Sequence, residues 1–182
     1  NLNKMIKQAT QYDNDYNIGY FLPPDSFLEL DELDSSGMKR LLEEIKQSGL
    51  FDVILIDLPC SFNYKNIALM EESHEILVIV TPEGIVLNKL TKFLKDIQLH
   101  QKIIAAGFLD KMTIIGNRWE EIHSDNPVYE TLKHNLSTIG KSVEIKIPDE
   151  KIDILQDFAI YNEDSSLNSE LKKIVYKYST MS

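Results

Sequence analysis

The chain has 182 residues, a formal net charge of −10, 43% hydrophobic and 26% charged residues, which bounds it to one domain with a substantial core and excludes global disorder. A chain this acidic is not expected, as a whole, to be a specific nucleic-acid binder, since phosphate neutralisation needs clustered Lys and Arg; a local basic patch stays open. Its one cysteine, Cys60, excludes an intrachain disulfide framework; with no apolar run near the roughly 20 residues that span a bilayer and no charged-then-apolar leader, the expected location is cytoplasmic.

Residues 1 to 16 are polar, with a short helix expected on Leu2, Met5, Ile6 and Ala9. Ile18 to Leu22 reads as a strand stopped by Pro23-Pro24, whose missing amide donors end a ladder. The acidic cluster Asp25, Glu29, Asp31, Glu32 and Asp34 is expected to be a solvated loop and helix start. Met38, Leu41, Leu42 and Ile45 form a helical stripe from about 36 to 47, closed by Ser48-Gly49. Next comes Phe51-Asp52-Val53-Ile54-Leu55-Ile56-Asp57-Leu58-Pro59, whose four consecutive apolar residues predict a strand buried on both faces. By itself, Asp57 before a proline is equally well a turn or a site at the carboxyl end of a strand.

A helix over 65 to 73 is expected next, then a second apolar run, Ile76 to Val80, ending in Thr81-Pro82. Leu87, Leu90, Leu94 and Ile97 mark a helix to about His100, and Met112 to Gly116 is a third run ending in Asn117-Arg118. Pro127 opens a helix bearing Val128, Leu132, Leu136 and Ile139, closed by Gly140. Val143 to Ile147 alternates, which predicts an edge strand with one wet face, ending in Pro148-Asp149. A loop to about 164 precedes a closing helix with the stripe Leu167, Leu171, Ile174, Val175 and Tyr178. Strand and helix thus alternate about five times, which predicts a single α/β domain: a Rossmann-like parallel sheet flanked by helices, its strand ends gathered on one rim.

The set I-D-L-P, V-T-P-E, G-N-R and I-P-D, in that order on successive strand ends, resembles the MinD/ParA family of P-loop ATPases with the deviant Walker A motif. The D-L-P form looks most like its CpaE-type branch, associated with pilus and secretion machinery. The resemblance covers roughly residues 17 to 178. It implies that Asp57 closes the Walker B strand as the catalytic, Mg²⁺-holding carboxylate of an ATP site, and that Asn117 and Arg118 meet the adenine base. Pro148 and Asp149 would line the other side of that base. It further implies an ATP-dependent homodimer, a protein partner in an assembly or positioning machine, and a switch segment after Pro59.

The sequence departs from the family pattern in lacking the phosphate-binding loop and, with it, the preceding strand and helix with their own acidic end. None of its seven glycines stands in a G-x-x-x-x-G-K loop, so nothing in it cradles a triphosphate. With Asn1 in place of Met, the expectation is the C-terminal portion of a larger P-loop ATPase domain, incomplete at the N-terminus; the alternative is a degenerate, non-nucleotide-binding scaffold of the same fold. A receiver-like signalling domain also fits an apolar strand ending in Asp, but Asp25 and Glu29 are poor substitutes for its acidic pair, and Asn117-Arg118 stands where its Lys would be. The four histidines share no ligand spacing, and Cys60 is expected to be a small buried residue. Lys172, Lys173 and Lys177 lie opposite the apolar stripe of the closing helix, so peripheral membrane association stands beside core packing. Trp119 is open between packing near the base and forming a partner surface.

Overall fold

A parallel ladder forms only where apolar strands find parallel neighbours, and that condition separates the two halves of this chain. The computed structural model describes residues 2–23, 33–59, 61, 63–100, 107–119, 127–149 and 166–179. They fall into two compact units, 1–73 and 74–182, and each is taken by itself.

The second unit holds the α/β core. Strands β3 (Ile76–Val80), β4 (Met112–Gly116) and β5 (Val143–Lys146) form a parallel sheet in that order. The crossovers carry helices α4 (Gly84–Leu99) and α5 (Pro127–Thr138), which pack on one another. The expected stripe of α4 is the buried one: Leu87, Leu90, Leu94 and Ile97 are at most 4% exposed, and Leu132 and Leu136 of α5 join them. Each such side chain contributes about 1.5–3 kcal/mol on leaving water. Every residue of β4 is buried, as befits the middle strand, whereas β5 alternates and lies at the sheet edge as its sequence predicts.

The closing helix α6 (Ser166–Ser179) differs from expectation in the direction of one lysine. Lys177 turns toward the sheet, where its Nζ donates to Thr113 Oγ1 at 2.6 Å and pairs with Glu75 at 3.2 Å and Glu144 at 3.6 Å. Thr113 is 2% exposed and also donates to Glu75, so its hydroxyl needs polar company, and the long lysine stem can supply it from a helix. Val175, placed on the apolar stripe, is exposed instead. Among the described residues, no helix is long and apolar enough to cross a membrane.

The first unit contains α1 (Leu2–Ala9), a hairpin of β1 (Thr10–Asp13) and β2 (Ile18–Phe21), α2 (Ser35–Gln47) and α3 (Tyr64–Glu72). The strand expected at 18 to 22 therefore exists, but it pairs antiparallel with β1 in a two-stranded sheet. The stretch β1 is itself unexpected: its turn is set by Asp13, whose carboxylate accepts from the amides of Asp15 and Tyr16, with Asn17 left-handed at φ 54°. Helices α2 and α3 pack together and are clamped by Lys39, which pairs with Glu71 and Glu72.

The main correction concerns residues 51 to 59. They form no strand, and Val53 and Leu55 are 71% and 87% exposed rather than buried on both faces. An apolar run states what surroundings a segment suits, whereas a ladder needs a neighbour, and strands β1 and β2 of this unit are paired to each other. The run is anchored at its start, where Phe51 lies so close over Gly19 that a Cβ there would come within 2.5 Å of its ring. Asp25, Glu29, Asp31, Glu32, Cys60, His123 and the loop from 150 lie outside the described residues.

Helix α2 begins at Asp34, whose carboxylate accepts from the Gly37 amide at 2.7 Å and the Ser36 hydroxyl at 2.8 Å. The Gly37 amide first, and the Ser36 hydroxyl second, hold its pKa below the ordinary 3.8. A carboxyl depressed in the folded state adds stability above its unfolded pKa, and that stability is lost as pH falls through the folded value. Asp34→Asn retains a capping oxygen without the charge. It should flatten the loss of helix signal below about pH 4, as followed by circular dichroism; an unchanged acid profile would count against the cap.

Candidate functional site

Two groups of candidate residues are positioned by quite different means. In the second unit the strand ends are tied by backbone bonds that outlast the sheet. The Asn117 amide donates to Val80 O, the Ile147 amide to Gly116 O, and the Trp119 amide to Ile147 O, each at 2.7 Å. Asn117-Arg118 and Pro148-Asp149 are therefore held side by side on the carboxyl ends of β4 and β5, as expected for a shared rim. Arg118 is left-handed at φ 50°, a conformation that costs a non-glycine residue about 1–3 kcal/mol. The bend returns the chain to the sheet at Trp119 and leaves the Arg118 side chain exposed.

Asn117 is half-buried, and its side-chain oxygen accepts from the Arg118 amide at 3.0 Å. Its NH₂ makes no hydrogen bond among the described residues, so the group offered outward is chiefly a donor. Trp119 is a core residue: 7% exposed, edge-on to Tyr129 with centroids 5.8 Å apart, and stacked over Gly116. That burial speaks against the partner-surface expectation for Trp119, whose ring supports the rim from behind.

In the first unit, Asp57 is exposed at the end of the unpaired run, and among the described residues its carboxylate makes no hydrogen bond or ion pair. The turn beyond it is ordered from helix α3. Asn63 caps the helix by accepting from the Asn66 amide at 2.9 Å, and the Asn66 side chain reaches back to the Pro59–Ser61 turn. Sequence reading missed Asn66; the available signal was the three-residue spacing of two asparagines at a helix start.

These residues fit Mg²⁺ and ATP unequally. An exposed single carboxylate suits Mg²⁺, which keeps most of its waters and takes one or two carboxylates beside phosphate oxygens. The rim of Asn117 and Pro148 offers a donor and an apolar wall to the edge of a base. Among the described residues the triphosphate finds no cradle. Gly140-Lys141-Ser142 carries the last letters of a phosphate loop, but Gly140 ends a helix at φ 68° and Lys141 Nζ donates to Met112 O at 2.7 Å. Met112 opens β4, so that lysine is engaged at the opposite end of the strand from the rim. No cluster of three or more metal-ligating side chains occurs among the described residues.

The parallel sheet flanked by helices makes this an α/β fold of ParA-like architecture. A solved structure with this fold is that of a ParA family ATPase from Chlorobium tepidum TLS, with a TM-score of 0.72 over 95% of this chain and 69% of that one. The two share 16% identity, so the likeness is one of fold. No family model matches the sequence, and no curated protein matches it.

Proposed function

We propose that the chain supplies the Mg²⁺ and adenine sides of a ParA/MinD-like ATP switch, with Asp57 toward the metal and Asn117, Arg118, Pro148 and Asp149 around the base. The observation that carries this reading is the rim itself: the motifs G-N-R and I-P-D lie on adjacent strand ends locked by three 2.7 Å backbone bonds. The ParA-like fold supports it. The protein would be a cytoplasmic, CpaE-like positioning or assembly ATPase of pilus, secretion or division machinery, forming one α/β domain. It would dimerise on ATP, and binding would bias the segment after Pro59 toward a partner-binding state that hydrolysis releases.

The test is base selectivity. In the full-length protein, Asn117→Leu should weaken ATP and GTP unequally in a fluorescence titration, by about tenfold for the preferred base. Equal effects on both nucleotides would remove Asn117 from the base site.

A second reading is favoured by one observation, the absence of a glycine- and lysine-bearing phosphate loop from the sequence. On that reading the same fold is a scaffold that binds protein partners without nucleotide. A gene that encodes no such loop upstream of Asn1, together with no ATP binding by its full product, would select the scaffold.

A further inference from the structure

We propose that Asn66 is a positioning residue for Asp57: its buried amide clasps the Pro59–Ser61 turn and thereby fixes the carboxylate just upstream for a Mg²⁺ ion. The proposal rests on the assignment of Asp57 to the metal side. The need for a clasp comes from the run itself. Residues 51 to 58 have no ladder to hold them, and Val53, Leu55 and Ile56 face solvent. A carboxylate at the end of such a segment has no sheet to aim it, and a metal ligand keeps its direction only when hydrogen-bonded neighbours hold it from behind.

Asn66 provides that support. It is 5% exposed, and its Nδ2 donates to Ser61 O at 2.7 Å, to Ser61 Oγ at 3.2 Å and to Pro59 O at 3.4 Å. The Ser61 amide closes the same turn on Pro59 O at 2.6 Å. The base of the clasp is firm, because Ala68 and Leu69 bury the helix that carries it and Asn63 caps its start. Opening the turn would strand a buried NH₂ without acceptors, which keeps the closed form dominant. Geometry is thus handed from a packed helix, through one amide, to the residues just beyond Asp57.

The experiment uses the full-length protein with Mn²⁺ as a paramagnetic stand-in for Mg²⁺, titrated by electron paramagnetic resonance in the presence of ATP. Asn66→Leu should weaken Mn²⁺ binding about tenfold and speed exchange of the Ser61 amide, while ATP affinity without metal stays unchanged. Asn66→Ala removes the amide without added bulk and serves if the leucine variant does not fold. Asp57→Asn tests the underlying assignment. If Asp57→Asn loses Mn²⁺ and both Asn66 variants bind it like wild type, the positioning role is overturned and the metal assignment survives. If wild type binds no Mn²⁺, or Asp57→Asn binds it unchanged, the assignment falls and the positioning role with it.

Discussion

Gly116→Ala should lower the stability of the 74–182 unit by about 3 kcal/mol and shift tryptophan emission to the red. A Cβ at this position would press into Trp119 Cε3 and lie 2.6 Å from Cδ2, well inside contact distance. The ring cannot simply swing away: its own amide is bound to Ile147 O, and its edge meets Tyr129. Overpacking a close-packed core commonly costs about 1–3 kcal/mol, and the upper end applies where ring and backbone are both held. Trp119 is the only tryptophan, so its fluorescence reports the site without interference. Because Asn117 and Arg118 sit between the glycine and the ring, the same substitution should disturb the rim. An unchanged denaturation midpoint and unchanged emission would show that the strand end yields more easily than these bonds suggest.

Asp57→Ala should reduce Mg²⁺-dependent nucleotide binding by the full-length protein at least about a hundredfold, roughly 2.7 kcal/mol, while leaving the fold intact. The two halves of that expectation have separate origins. The carboxylate is exposed and makes no hydrogen bond or ion pair among the described residues, so its removal should change stability by less than about 0.5 kcal/mol. Its proposed work is electrostatic, and an alanine would leave the cation without its protein carboxylate, beside phosphate oxygens and water. Calorimetric titration with and without Mg²⁺ separates the two contributions. Equal affinity in wild type and variant would take Asp57 out of the site.

The second unit was largely legible in its sequence because its signals are local. Leucines at helical spacing marked α4, a proline opened α5, and alternation placed β5 at the edge. A shared rim for Asn117-Arg118 and Pro148-Asp149 followed from the alternation of strand and helix, whereas the direct adjacency of β4 and β5 is seen only in the sheet. The first unit was less legible because its structure turns on pairing. Thr10 to Asp13 is too polar to read as a strand, yet it finds a partner; Val53 to Ile56 is apolar enough, yet it finds none. Lys177 and Asn66 were opaque for a related reason: whether a polar side chain faces water or satisfies a buried group depends on contacts distant in sequence or folded back across a turn.

The exposed run has a consequence for the protein's behaviour in solution. Val53-Ile54-Leu55-Ile56 is uncharged, β-branched or leucine throughout, and free of proline, the composition from which stacked cross-β assemblies grow. Asp52 and Asp57 bracket it. In an in-register stack each would lie directly above its own copy, and the repulsion between like charges opposes growth, as gatekeeper residues do. Asp57 thus stands guard over a sticky segment as well as facing solvent at its end, which couples solubility to the residue proposed for the cation.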